Sequence, residues 1–198
     1  LYAQLPSVST IAIKNRIFSF YANRNIEIEQ SKIEHAIITI HGSARNPDTY
    51  FKSVWGLSKR LNVEDKTIVL SPHFKITGDS LLPNELKYTY EGWWIGNQSI
   101  DGSNLSSFSV IDFFINHFSN QDLFPNLKTL VITGHSAGGH LTQRLALGSI
   151  QDLSSNHLNI KYIVANPGTY AYLSKKRPVA NQEGVFEIPL NTRCAYND

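Results

Sequence analysis

The chain has 198 residues, 41% of them hydrophobic and 17% charged, which is enough to bury one sizeable core and too apolar for a disordered segment. Its net charge of +2, from 18 basic and 16 acidic residues scattered along the sequence, excludes a field strong enough to steer nucleic acid or an acidic lipid surface. The single cysteine, Cys194, excludes an internal disulfide, and no apolar run approaches the roughly 20 residues that a membrane helix needs.

In chain order, residues 10–28 alternate loosely and predict one or two antiparallel strands, with turn-like breaks at Ser9-Thr10 and Asn23-Arg24-Asn25. The run 35–40 is short and β-branched, as a central parallel strand covered on both faces requires, and it stops at the loop His41-Gly42-Ser43-Ala44-Arg45-Asn46-Pro47. The spacing of Tyr50, Phe51, Val54, Leu57 and Leu61 predicts a helix over 48–61. Residues 67–70 predict a second buried strand, closed by Ser71-Pro72. Residues 74–107 show no clean period and read as a long loop over a functional site. Ser107 is the expected cap of a helix bearing Val110, Phe113, Phe114, His117 and Phe118. A strand at 127–133, a turn at 134–139, a helix over 138–147 and a strand at 160–165 follow, and from Thr169 onward the chain reads as loop. Strands alternating with helices predict one α/β domain over 1–198, a mostly parallel sheet with helices on both faces. Right-handed crossovers then bring His41, Ser136 and Asn166 to one sheet edge, where ligands of open α/β sheets bind.

The chemistry is concentrated in Thr133-Gly134-His135-Ser136-Ala137-Gly138-Gly139. Gly-X-Ser-X-Gly between a hydrophobic strand and a helix is the context of a nucleophile elbow, in which glycines leave room for a sharp turn and the serine is pushed outward. A plain strand-to-helix connection is the competing reading. A phosphate loop is disfavoured because no Gly-Lys-Ser or Gly-Lys-Thr ends the motif. The Ala137 amide is the expected first oxyanion donor, and the Ser43 or Ala44 amide the second, with Gly42 permitting close approach. His41 precedes the nucleophile and is expected to brace its loop rather than act as base. His135 and His140 flank the serine in structural roles, and the spacing of the three histidines supports zinc only weakly.

A serine nucleophile needs a base and an orienting acid, which in this order of motifs come after it. Downstream lie only His140 and His157, the latter on the wrong side of the sheet, and Asp198 is the last residue. The expectation is therefore a further C-terminal segment, missing, cleaved or present as a separate chain. The start at Leu1 leaves secreted, periplasmic and cytoplasmic locations open.

These features, over about residues 33–170, resemble the α/β-hydrolase superfamily, in particular its esterases and lipases. More closely, the chain resembles a poorly characterised group of bacterial, fungal and plant hydrolase-like proteins. The stretches concerned are 41–46, 94–99, Ser106-Ser107-Phe108 with Asp112, 124–127, 166–170 and Tyr196-Asn197-Asp198. The resemblance implies an α/β-hydrolase fold incomplete at the C-terminus, with Ser136 in the nucleophile position. Trp93 and Trp94 then either line a pocket or pack a loop onto the core. Arg45 either holds an anion or, as favoured, braces the loop, and Asn166 and Tyr170 sit near the rim. The expected activity is hydrolysis of a carboxylic ester through an acyl-enzyme, without metal or organic cofactor. A non-catalytic binding or structural protein and a serine peptidase are the alternatives.

Overall fold

The computed structural model describes residues 8–149 and 157–188. Contacts divide the chain into two compact units, one ending at Gly168 and one beginning at Thr169. In the second unit, two short strands, Arg177–Pro178 and Phe186–Glu187, pair antiparallel. Arg177 there lies over the Tyr172 ring, and Leu173 is 90% exposed.

The first unit is a six-stranded sheet. Its strands are β1 (Val8–Ile13), β2 (Arg16–Ala22), β3 (His35–Ile40), β4 (Thr67–Pro72), β5 (Thr129–His135) and β6 (Asn159–Ala165). Its helices are α1 (Pro47–Arg60), α2 (Ser107–Phe118) and α3 (Ala137–Gly148). The strand order is β1-β2-β4-β3-β5-β6. The first three neighbours pair antiparallel, and β4, β3, β5 and β6 run parallel. The chain crosses from β3 to β4 through α1 and from β4 past β3 to β5 through α2, in opposite directions across the sheet. Right-handed crossovers therefore place α1 and α2 on opposite faces. The larger core collects Ala36, Ile38, Ile40, Ile68, Leu70, Leu130 and Ile132 from alternate strand positions with Val110, Phe114, Leu141 and Leu145 from α2 and α3. Phe51 of α1 and Val69 of β4 are equally buried but lie outside that cluster.

Several local expectations are corrected. The first break falls at Lys14-Asn15, where Lys14 takes φ 54° and β1 turns directly into β2; Ser9-Thr10 lies inside β1. No glycine marks that turn, so the usual hairpin signal is absent. Ser106, not Ser107, caps α2, its hydroxyl accepting from the Ser109 N–H, while Ser107 is buried as the first helical residue. In α1, Leu57 and Leu61 are 46% and 62% exposed, and Phe51 and Ser58, two turns apart, form the covered line instead. The fourth parallel strand, β6, borders no further strand among the described residues and leaves Ile163 and Val164 exposed.

Residues 73–106 hold only one short 3-10 turn, Gly92–Trp94, yet they are anchored rather than loose. Phe74, Leu86, Tyr88, Trp93 and Leu105 enter the main core. Each fully buried aromatic side chain contributes on the order of 2–3 kcal/mol against the cost of ordering so long a connection. Lys75 Nζ pairs with Glu85 Oε2 at 2.8 Å, and the Ser19 hydroxyl of β2 donates to the other Glu85 oxygen. The segment is thereby held to the sheet by a buried, hydrogen-bonded charge pair.

Candidate active site

Between β5 and α3 a single residue makes the turn. Ser136 has φ 58° and ψ −121°, a region costing an L-residue about 1–3 kcal/mol. Two backbone bonds hold it there: the Ser136 N–H donates to Ala165 O at 3.0 Å, and the His140 N–H donates to Ser136 O at 2.9 Å. Three glycines make the bend possible. A Cβ on Gly134 would lie 2.3 Å from the Gly138 carbonyl carbon, one on Gly138 2.3 Å from Ile40 O, and one on Gly139 2.4 Å from Ala165 O. The ends of β3, β5 and β6 and the start of α3 therefore converge more closely than side chains allow. The Ser136 side chain is half-buried and does not cap α3. The Ala137 N–H, at the helix start, belongs to the amides that have no intrahelical acceptor.

The loop after β3 lies against this bend. A Cβ on Gly42 would sit 3.8 Å from Ser136 Cβ, 3.7 Å from His135 O and 2.9 Å from the Tyr50 hydroxyl. The loop is held by His41, which is fully buried. Its Nε2 accepts from the Phe74 N–H at 3.1 Å, so that nitrogen carries no proton, and Nδ1–H donates to Gly42 O at 2.9 Å. Burial drives the imidazole down to about 3, which keeps it neutral. Gly42 O also accepts from the Arg45 N–H at 3.0 Å. In a trans peptide the N–H points opposite the carbonyl, so the Ser43 amide is turned away from these donors. Neither the Ser43 nor the Ala44 amide has a backbone acceptor among the described residues. Gly42 and Ser136 are thus brought together by the adjacent strands β3 and β5.

Arg45 forks onto Asp79, with Nη2 3.0 Å from Oδ1 and Nε 3.2 Å from Oδ2, and Asp79 also accepts the Ile76 N–H at 2.9 Å. The guanidinium ties loop to loop, as a brace does. Trp93 is fully buried, stacked on Phe74 at 5.4 Å and tilted against His41 at 4.5 Å. It packs the long segment onto the core. Trp94 is half-buried, edge-on to Tyr90 and Trp93. His135 is exposed, with Asn166 Nδ2 3.5 Å from its Nε2. His140 is buried one turn into α3, and burial followed by the Arg144 charge lowers it to about 4. Neither His41 nor His140 is therefore poised near neutrality as a general base should be. His157 precedes β6, at the opposite end of the sheet from Ser136. Tyr170 is 57% exposed and belongs to the second unit. Cys194 and Asp198 lie outside the described residues.

Tyr50, Asp79 and His73 escape the sequence reading. Tyr50 reads as one apolar position of α1, Asp79 as a loop residue, and His73 only as the residue after a strand, although its ring meets His41 at 5.9 Å. Among the described residues no group of three His, Cys, Asp or Glu side chains is placed to hold a metal ion, and no helix is long and apolar enough to cross a membrane. A cleft of about 360 Å³ lies at the other end of the strands, where Glu34 pairs with both Lys66 and Lys128.

A mostly parallel sheet with helices on both faces, a serine on a positive-φ bend between β5 and α3, and the β3–α1 loop packed against it define an α/β fold of the hydrolase type. No family model and no curated protein matches the chain. Among solved structures it is similar to the poly(3-hydroxybutyrate) depolymerase LpqC from Bordetella parapertussis, at 16% identity and TM-score 0.49, over 71% of this chain and 46% of that one. It is also similar to an S-formylglutathione hydrolase from Agrobacterium tumefaciens, at 16% identity and TM-score 0.46, over 74% and 54%. A poly(aspartic acid) hydrolase-1 from Sphingomonas sp. KT-1 matches at 20% identity and TM-score 0.43, over 71% and 51%. The chain spans about half the length of these structures.

Proposed function

We propose that the protein is a serine hydrolase that cleaves a carboxylic ester through an acyl-enzyme intermediate. The observation that carries this reading is the strained Ser136 bend with Gly42 packed against Ser136 Cβ. With ψ −121° beside φ 58°, Ser136 lies outside the left-handed helical region that turn residues ordinarily adopt, and such strain persists only where the surroundings impose it. In the proposed reaction the Ser136 oxygen attacks the carbonyl carbon and its proton passes to a base. The negative charge on the carbonyl oxygen meets the amides of Ala137 and of Ser43 or Ala44. Collapse of this intermediate breaks the C–O bond to the leaving alcohol, which takes the proton, and water then releases the acyl group. Each oxyanion donor of this kind accounts for about 10²–10³ in rate. The base and its orienting acid are assigned to groups other than His41 and His140.

A fluorophosphonate probe applied to the full-length natural protein is expected to label Ser136, and Ser136→Ala to abolish labelling. A second reading, a binding protein on the same fold, is favoured by the bonds of His41, which go to Gly42 and Phe74 rather than to the serine. An unlabelled, folded full-length protein would establish that second reading at the expense of the first.

A further inference from the structure

We propose that the Tyr50 hydroxyl is a catalytic hydrogen-bond donor to the substrate carbonyl oxygen, a side-chain member of the oxyanion site; this rests on the serine-hydrolase reading above. The phenol oxygen and Ser136 Cβ lie 2.9 Å and 3.8 Å from one point, the place where a side chain on Gly42 would begin. Gly42 thus borders both groups, and a side chain there would meet the phenol oxygen first.

The position follows from the local fold. Pro47 opens α1 directly after the loop, and Tyr50 falls in the first turn. Helical side chains lean toward the helix N-terminus, so this one is carried back over residues 41–46 rather than toward the sheet. Tyr50 is half-buried, and its hydroxyl makes no hydrogen bond among the described residues. The hydroxyl therefore has its proton available to a group that enters beside Gly42. It stands on the loop side of Ser136, with the Ser43 and Ala44 amides, so the substrate atom it meets is the carbonyl oxygen rather than the departing alcohol. A hydroxyl aimed at developing charge in a partly dehydrated site strengthens as that charge grows.

The test is Tyr50→Phe in the full-length protein, which keeps the ring and removes one oxygen. The rate constant for fluorophosphonate labelling of Ser136 is expected to fall about 100-fold, since the phosphoryl oxygen occupies the position of the carbonyl oxygen, with the melting temperature unchanged. With an ester that the protein cleaves, kcat is expected to fall while KM stays within twofold. The loss should shrink toward unity for the matching thionoester, whose sulfur accepts hydrogen bonds poorly. A purely structural tyrosine moves neither the split nor the oxygen–sulfur ratio. Wild-type labelling by Tyr50→Phe would overturn the assignment and leave Ser136 as nucleophile. A wild-type protein that is never labelled would overturn both.

Discussion

Gly138→Ala tests the interlock beneath Ser136 more directly than a change to the serine itself. The added Cβ meets Ile40 O at 2.3 Å and His41 O at 2.6 Å, both backbone atoms of the β3 end. A carbon–oxygen contact needs roughly 3.4 Å, so α3 and β3 must separate by about 1 Å. Overpacking against atoms that cannot rotate away falls at the upper end of its usual range, about 3 kcal/mol. The helix preference of alanine returns at most about 1 kcal/mol. The net loss is about 2 kcal/mol, a fall in melting temperature of about 4–8 °C for a chain of this size. The same 1 Å carries Ser136 away from the Gly42 loop, and labelling by the fluorophosphonate should drop about 100-fold. Gly56→Ala is the matched control. It lies within α1 with nothing inside 4 Å of its Cβ, and should raise stability by about 0.5–1 kcal/mol without touching labelling. Chemical denaturation of the two variants gives the sign of each change. A Gly138→Ala protein as stable and as reactive as the wild type would show that the close approach of α3 to β3 is not what positions the serine.

Ser136→Gly should release the strain at φ 58°, raising stability by about 1 kcal/mol net of the extra chain entropy of glycine, while removing labelling altogether. A lower melting temperature would mean that the serine side chain stabilises the bend instead. Acid titration reports on the His41 brace. Burial holds its imidazole at about 3 against about 6.5 in the unfolded chain. As pH falls below 6.5 the unfolded state takes up a proton that the native state refuses, so stability declines by about 1.4 kcal/mol per pH unit until about pH 3. His140, lowered to about 4, acts in the same direction. His41→Gln retains a donor and an acceptor but cannot titrate. Its denaturation midpoint should lose less than the wild type's between pH 6.5 and 5, and parallel curves would place the titrating group elsewhere.

The strands β3, β4 and β5 were legible because each is a short β-branched run covered on both faces and stopped by glycine or proline. The strand-to-helix bend at Ser136 was legible for a related reason: its glycines, its serine and its flanking elements are contiguous, so local sequence carries the geometry. What failed to show locally depends on the fold. The face of α1 follows Phe51 and Ser58 because of where β2, β3 and β4 lie, and a count of apolar spacing assigns Leu57 and Leu61 to it wrongly. The 73–106 segment has no period because its buried residues answer to the irregular surface beneath them. Trp93 is fixed by Phe74 and His41, and no repeat in the sequence encodes that. Tyr50 is the extreme case, since its ring position has a helical spacing but the destination of its oxygen is set by a glycine eight residues away and a serine in another strand's turn.

Ser136 and the loop beside it are built as one unit. Gly138 against Ile40 and His41, Gly139 against Ala165, and the Ser136 amide on Ala165 O link β3, β5, β6 and α3 through backbone contacts alone. His41 then fixes the Gly42–Ser43 peptide from below, reading Phe74 on one side and Gly42 on the other. On the proposed reading, therefore, the charge-stabilising half of the site is set by packing and needs no contribution from the base. Donors that are already in place require no reorganisation when charge appears, and such a half-site retains rate enhancement even where proton transfer is impaired. The same logic explains why the histidine that braces the loop must not be the base. An imidazole that gains and loses a proton in each turnover would release the Gly42 carbonyl or the Phe74 amide each time, and burial of His41 prevents this by holding it neutral.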